Sequence, residues 1–308
     1  MTAIEVSGLV KRYRGGTGNA VDGVSFTVPD GALFCLLGPN GAGKTTTVSI
    51  LTTTLAPTAG RVRIAGHELG TDPLRVRRDI GIVFQQPSLD GNLTAEENIR
   101  LHAVLYGLYP WRPTFRMMPR GYREHVAALA EVLDVGDVLR RRACTLSGGT
   151  RRKLEIVRAL LHRPRVLFLD EPTVGLDPES RRSLWDYLGA VRDRHRTTVF
   201  LTTHYLAEAE AADTVCVLVA GRVAECGSPA QIKTRYARPE LVLDARDRNR
   251  LRTELGLPAT ARAPYRVPLN GRSAQQVIRG LESELTLLGA GDPTLEDAYL
   301  RLLAGARP

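Results

Sequence analysis

Gly38-Pro39-Asn40-Gly41-Ala42-Gly43-Lys44-Thr45 satisfies the pattern GxxxxGK[ST], after an apolar run and before a stretch of helical character. Glycines at those spacings let successive backbone N–H groups curl round an anion, and the N-terminus of the following helix adds positive potential at the same place. In such a loop the lysine, Lys44, reaches the β- and γ-phosphates of a nucleotide, and the next hydroxyl, Thr45, serves Mg²⁺. Val166-Leu167-Phe168-Leu169-Asp170-Glu171 reads as an apolar strand ending in two carboxylates. Asp170 suits Mg²⁺, directly or through water. Glu171, one step beyond, suits a base that polarises water for in-line attack on a γ-phosphate. Alone, such a strand end is equally an ordinary solvated carboxylate pair; the phosphate loop upstream gives it its chemical reading. Between the two lies Leu146-Ser147-Gly148-Gly149, a hydroxyl and closely approachable N–H groups at a helix start. It can serve as an anion site or as a plain helix cap.

These residues need a sheet to hold them. Leu33-Phe34-Cys35-Leu36-Leu37 is an all-apolar run of the kind buried on both faces of a sheet, and 166–169 and 198–202 read as two further buried-type strands separated by a helix expected over 178–194. Strand, helix, strand with apolar strands implies a parallel sheet. Ile4-Glu5-Val6 and 24–28 alternate apolar and polar, as half-buried strands do, and 61–64 and 80–84 are further strands. From about 94 to 158 the periodicity is helical, with Val126, Leu129, Ala130 and Leu133 on one face. After about residue 232 the character changes: short strands at 241–243 and 285–288 are joined by polar segments rich in Pro and Arg. Thr294 is placed to cap a last helix whose apolar face is Leu295, Ala298 and Leu302. The expected architecture is therefore α/β, with a mostly parallel core sheet, an antiparallel β subdomain, a helical subdomain at about 94–158, and a small α+β C-terminal domain. The domain ranges are 1–232 and 233–308.

A chain of 308 residues with 43% hydrophobic content can bury a sizeable core. Its longest apolar runs, 32–37 and 215–220, fall far short of the roughly 20 residues that cross a bilayer. The N-terminus shows Glu5 and no basic-then-apolar leader. Residence in the cytosol is expected. Cys35, Cys144, Cys216 and Cys226 show no CxxC spacing, so buried, reduced thiols are expected rather than a disulfide or a metal cluster. The net charge of +9 fits a solvated arginine-rich surface, nucleic acid or an anionic membrane face; without aromatic-interleaved basic motifs, membrane proximity is favoured over nucleic acid. The runs 75–78, 140–142 and Arg151-Arg152-Lys153 read as solvated helix faces.

The phosphate loop, LSGG, strand-end Asp-Glu, Gly175-Leu176-Asp177-Pro178 and the strand-end His204 follow one another as in ABC transporter ATPase subunits, over roughly residues 1–232. The wording at 171–178 and the tail Thr294-Leu295-Glu296-Asp297-Ala298-Tyr299-Leu300 resemble the daunorubicin-resistance type, which partners with ABC-2 permeases. The resemblance implies a P-loop NTPase that binds ATP with Mg²⁺ and dimerises with a second copy. It implies a peripheral place on the cytoplasmic face of the membrane beside a separate integral-membrane permease, which contacts the substrate. It gives nucleotide-binding roles to the whole loop, Gly38, Pro39, Asn40, Gly41, Ala42, Gly43, Lys44, Thr45 and Thr46. Tyr13 would stack on adenine. Gln85, or Gln86 beside it, would sense Mg²⁺ and the attacking water and meet the permease, and His204 would bond the γ-phosphate. Ser147, Gly148 and Gly149 would bind the γ-phosphate held by the other subunit, and Asp177 would touch that subunit.

The sequence also departs from the family. Thr150 stands where glutamine or methionine is usual, beyond the anion-binding atoms. The aromatic, basic, proline-broken segment 109–118 lengthens the helical region. It is either a surface loop packed on that region or a contact for the permease or lipid headgroups. The resemblance implies drug or antibiotic export, while the ATPase of an importer or of a lipid or polysaccharide exporter shares the same cassette. A soluble ABC protein of ribosome or DNA is disfavoured, because there is one cassette and 44–170 shows no sustained heptads.

Overall fold

The computed structural model describes every residue except 17, 87, 238, 239, 270, 271, 292, 293 and 306–308, and only the backbone of 194, 195 and 290. Two compact units result, Met1–Cys226 and Gly227–Pro308. The first begins with β1 (Thr2–Arg12), β2 (Asn19–Pro29), β3 (Leu33–Leu37), α1 (Lys44–Leu51), β4 (Ala59–Ile64), β5 (His67–Glu68), α2 (Pro73–Asp79) and β6 (Ile80–Val83). It continues through α3 (Ala95–Leu105), α4 (Arg120–Val132), α5 (Gly148–Leu160), β7 (Val166–Asp170), α6 (Pro178–His195), β8 (Thr198–Thr203), α7 (Leu206–Glu210), β9 (Thr214–Val219) and β10 (Arg222–Gly227).

The site is positioned by a six-stranded sheet in the order β10-β9-β3-β8-β7-β6. Every residue of β3, β7 and β8 is buried, including Asp170 of β7 and the three threonines of β8, as in strands covered on both faces. β3, β8 and β7 are parallel neighbours whose register sets Leu37 opposite Thr203 and Asp170 opposite Thr202. The segments leaving these strands therefore emerge at one edge, the carboxyl end of the sheet, where α/β folds bind ligands. Aromatic packing locks the three strands together: Phe34 stacks on Phe200 at 5.1 Å between centroids, and Phe168 meets Phe200 at 5.3 Å. Phe26 of β2 stacks on Phe34 at 5.0 Å, joining to this core the antiparallel sheet β2-β1-β4-β5.

Thr94 and Glu97 form a capping box that starts α3. Val126, Leu129, Ala130 and Leu133 are buried, as their spacing predicts. The segment 109–118 packs on this helical region. The rings of Tyr109 and Phe115 lie edge-on to Tyr122, Met118 is 2% exposed, and Arg100 donates to the Arg112 carbonyl at 2.7 Å. Trp111 and Met117 nevertheless stand 59% and 57% exposed.

The second unit comprises α8 (Pro229–Tyr236), β11 (Glu240–Ala245), α9 (Arg248–Glu254), β12 (Tyr265–Pro268), α10 (Ala274–Ile278), β13 (Leu285–Gly291) and α11 (Leu295–Gly305). Its antiparallel sheet has the order β12-β11-β13, and α11 packs on α8. Thr294 Oγ1 accepts from Asp297 N at 3.1 Å, and Leu295, Ala298 and Leu302 are buried, as the sequence indicated. The short elements α9, β12 and α10 were not evident from it.

Cys35 and Cys216 are buried free thiols, but Cys144 and Cys226 are exposed, contrary to expectation. Cys144 lies in a surface 3₁₀ turn and Cys226 on the edge strand β10. Among the described residues no helix is long and apolar enough to cross a membrane. Because Phe200 joins all three site-bearing strands, Phe200→Ala is expected to cost about 3–5 kcal/mol and Phe200→Leu much less. Urea unfolding of the two variants measures this.

Candidate functional site

A cavity of about 400 Å³ at the carboxyl end of the sheet is lined by Ala20, Asn40, Gly41, Gly43, Lys44, Thr45, Thr46, Gln85, Glu171 and His204. Its floor is the loop between β3 and α1. Two of the glycines there are required by close backbone approach. A Cβ on Gly38 would lie 2.4 Å from the Leu218 carbonyl, and one on Gly43 the same distance from that of Ala20. Gly43 also has φ +101°, which L side chains avoid. Lys44 is 5% exposed, and its Nζ donates to the carbonyls of Gly38 at 2.7 Å and Pro39 at 3.1 Å. Desolvation draws its pKa below the usual lysine range, against the pull of Glu171 and Asp170.

The wall opposite is the end of β7. Asp170 is 3% exposed, and burial raises its carboxyl above the ordinary aspartate range; the Thr202 hydroxyl, donating to Oδ1, and the charge of Lys44 work in the opposite sense. Glu171 turns the chain with φ +46°, a conformation rare outside glycine. Its N–H donates to Thr202 Oγ1 at 3.0 Å, and its carboxylate is the meeting point of the cavity. Gln85 Nε2 donates to Oε2 at 3.2 Å, His204 Nδ1 lies 3.3 Å from Oε1, and Lys44 Nζ lies 3.9 Å from Oε1. Gln85, not Gln86, is thus the glutamine brought into the cavity. Tyr13 is half exposed at the rim, where its hydroxyl lies 3.3 Å from Thr46 Oγ1 and Lys11 Nζ stands 5.6 Å from its ring centre.

Ser147, Gly148, Gly149 and Asp177 do not line this cavity. Ser147 and Gly148 are exposed at the start of α5, where Ser147 Oγ accepts from Thr150 N at 3.2 Å and lies 2.8 Å from Thr150 Oγ1. The unusual Thr150 therefore bonds to the serine hydroxyl rather than crowding it. Gly149 is buried against α6: a Cβ there would come 2.7 Å from Ser180 Oγ, which itself donates to Asp177 Oδ2 at 2.7 Å. The Ser180 bonds hold the Asp177 carboxyl below its usual range. The LSGG helix start and the Asp177 cap are in direct mutual support, away from the phosphate loop of their own chain.

Some residues of the site are not apparent from sequence. Thr202 serves both Asp170 and Glu171 from inside an apolar strand, and no pattern marks it. Arg152, expected on a solvated face, is 8% exposed and bonds to the carbonyls around Glu171. The available signal was Glu155, one helical turn on, amid Leu154, Ile156 and Val157: an opposite charge on an otherwise apolar face.

Comparison with known proteins agrees with this geometry. The ABC transporter family profile matches residues 21–174. The daunorubicin/doxorubicin resistance ATP-binding protein DrrA of Streptomyces peucetius is 38% identical over 97% of this chain and 92% of its own. The Nod factor export ATP-binding protein I of Rhizobium johnstonii is 36% identical over 97% and 94%. The dimeric post-hydrolysis structure of an ATP-binding cassette bound to ADP and Pi superimposes with a TM-score of 0.65 at 26% identity, covering 73% of this chain and 98% of that one. With its phosphate loop, carboxylate-ended strand and LSGG helix on that common fold, the chain belongs to the ABC transporter family and is an ATP-binding cassette ATPase.

Proposed function

We propose that two copies of this chain close face to face over two ATP molecules, and that closure drives a separate integral-membrane permease that exports a drug-like or antibiotic compound. The observation that supports this most is the division of the chain's functional residues. Lys44, Gln85, Glu171 and His204 share one cavity, while Ser147 and Gly148 stand exposed outside it, an anion-binding helix start with no phosphate of its own to hold.

In this reading Gly38 to Thr46 wrap the phosphates with backbone N–H groups, and Lys44 exchanges its carbonyl partners for β- and γ-phosphate oxygens. Tyr13 stacks on the adenine at the rim. Thr45, Asp170 and Gln85 offer the hydroxyl, carboxylate and amide oxygens that suit a small hard cation, so these would hold Mg²⁺, which neutralises charge on the phosphates. Glu171 accepts a proton from the water that attacks the γ-phosphorus. Gln85 orients that carboxylate and the water, and His204 donates to the γ-phosphate. The partner's Ser147 and Gly149 complete the coordination of that phosphate, and Asp177 meets the partner. ATP binds across the closed pair and stabilises it over the open one; hydrolysis removes that advantage, which makes a ligand-biased two-state switch.

One relative is named for Nod factor export and another for daunorubicin/doxorubicin resistance, which outward movement of the drug would explain. They favour export over import, and a place on the cytoplasmic face, where ATP is supplied. The permease, not this chain, contacts the cargo. Co-purification from membranes, followed by identification of the accompanying integral-membrane protein, tests this partnership. Recovery with ribosomes or nucleic acid would overturn it.

Glu171→Gln keeps the shape and the Gln85 contact but cannot take a proton. Its kcat is expected to fall about 10²–10⁴-fold with ATP affinity retained, leaving an ATP-dependent dimer visible by light scattering. Vigorous steady-state hydrolysis by that variant would remove Glu171 from the role of base. Ser147→Asp preserves the N-cap of α5, because aspartate caps as well as serine, but sets a negative charge against the partner's phosphate. It is expected to fold and bind ATP normally as a monomer while failing to dimerise on ATP.

A further inference from the structure

The first turns of α5 carry a buried ion pair bonded to the backbone around Glu171 and to the segments on either side of Gln85. Arg152 Nη1 lies 3.1 Å from Glu155 Oε2, with the two side chains 9% and 2% exposed. The same guanidinium donates to the Pro172 carbonyl at 3.1 Å, to that of Asp170 at 3.0 Å, to that of Glu171 at 3.4 Å, and to that of Phe84. Glu155 Oε1 accepts from Ser88 N at 2.5 Å and from Ser88 Oγ at 3.2 Å. One pair thus grips the backbone just before Gln85, the backbone just after the glutamine segment, and the turn that gives Glu171 its positive φ. Only a guanidinium has enough donors, in a fixed plane, to meet carbonyls from separate segments at once.

Stability does not account for this arrangement. Removing two charges from water is costly, and well-packed apolar residues of similar volume commonly stabilise as much or more. What an apolar pair cannot do is fix those carbonyls relative to one another.

We propose that the Arg152–Glu155 pair is a positioning element for ATP hydrolysis, which holds Gln85 and Glu171 in mutual register and ties that register to the helix beginning at Ser147. This rests on the reading of Glu171 as the base. Any tilt of α5, whether from engagement of Ser147 with the partner's nucleotide or from contact with the permease, reaches Glu171 through these carbonyls. Hydrolytic geometry is then a function of the position of α5, not of nucleotide occupancy alone.

Two variants test it. Arg152→Lys keeps the charge but offers one ammonium where a planar fork is needed. The paired variant Arg152→Met with Glu155→Met replaces the ion pair by apolar side chains of similar length. Both are expected to lose about tenfold or more in kcat, as small misplacements of catalytic groups do, while binding ATP within about twofold of the parent. The paired variant is also expected to melt near the parent temperature, which a merely structural role would accompany with restored turnover. Parental kcat in the paired variant, or a loss confined to KM, would overturn the proposal. If the paired variant does not fold, Arg152→Lys decides by the same split between kcat and KM. Glu171→Gln separates this proposal from its premise. Turnover by that variant discards the base assignment, whereas its inactivity beside fully active Arg152 variants discards the positioning element alone.

Discussion

Glu171 sits at φ +46°, in a region that a residue with a Cβ occupies at a cost of order 1–3 kcal/mol, and the nucleotide site depends on its staying there. In an ordinary extended continuation of β7, successive side chains would point to opposite faces of the sheet. The left-handed turn instead brings the Glu171 carboxylate over the phosphate loop, within reach of Lys44, Gln85 and His204. The conformation is held from both sides. Thr202 on β8 takes the Glu171 N–H, and Arg152 on α5 takes the carbonyls of Asp170, Glu171 and Pro172. The packed rings of Phe34, Phe168 and Phe200 fix the strands whose ends carry these groups.

The same architecture keeps the LSGG helix away from its own cavity. Gly149 lies so close to Ser180 that no side chain fits between them, and Ser180 in turn is bonded to Asp177. The start of the LSGG helix and the Asp177 cap are therefore packed together as neighbours. In the proposed dimer, the nucleotide site of another copy gives these neighbours their counterpart, with ATP as the cross-link. With Arg152 in the positioning role proposed for it, a dimer that closes correctly would also align its own catalytic groups.

Much of this was legible in the sequence, for physical reasons. The short unalternating runs 33–37 and 166–169 and the largely apolar 198–202, with a helical segment between the last two, pointed to a parallel sheet covered on both faces and therefore to its carboxyl edge. The phosphate loop and the Asp-Glu pair are local motifs whose chemistry is contained in a few adjacent residues. Contacts between segments far apart in the chain were not legible. Thr202 looks like any strand residue, and the arginine run at 151–153 looks like a solvated face until Glu155 is placed one turn beyond it. Burial of charge is decided by what packs above it, which no single helix shows. Cys144 and Cys226 failed in the opposite direction: small apolar side chains stand exposed in a surface turn and on an edge strand.

The central claim is that each hydrolytic site joins the phosphate loop of one copy to the LSGG helix of another. Mixing two separately inactive chains tests it most directly, one carrying Lys44→Ala and the other Ser147→Asp. In the mixed dimer one site combines both defects and the other combines neither. ATP hydrolysis is therefore expected to reappear on mixing, at roughly a quarter of the parental rate per chain if the copies associate at random. A mixture as inactive as its components, with mixed dimers demonstrably present, would contradict the account.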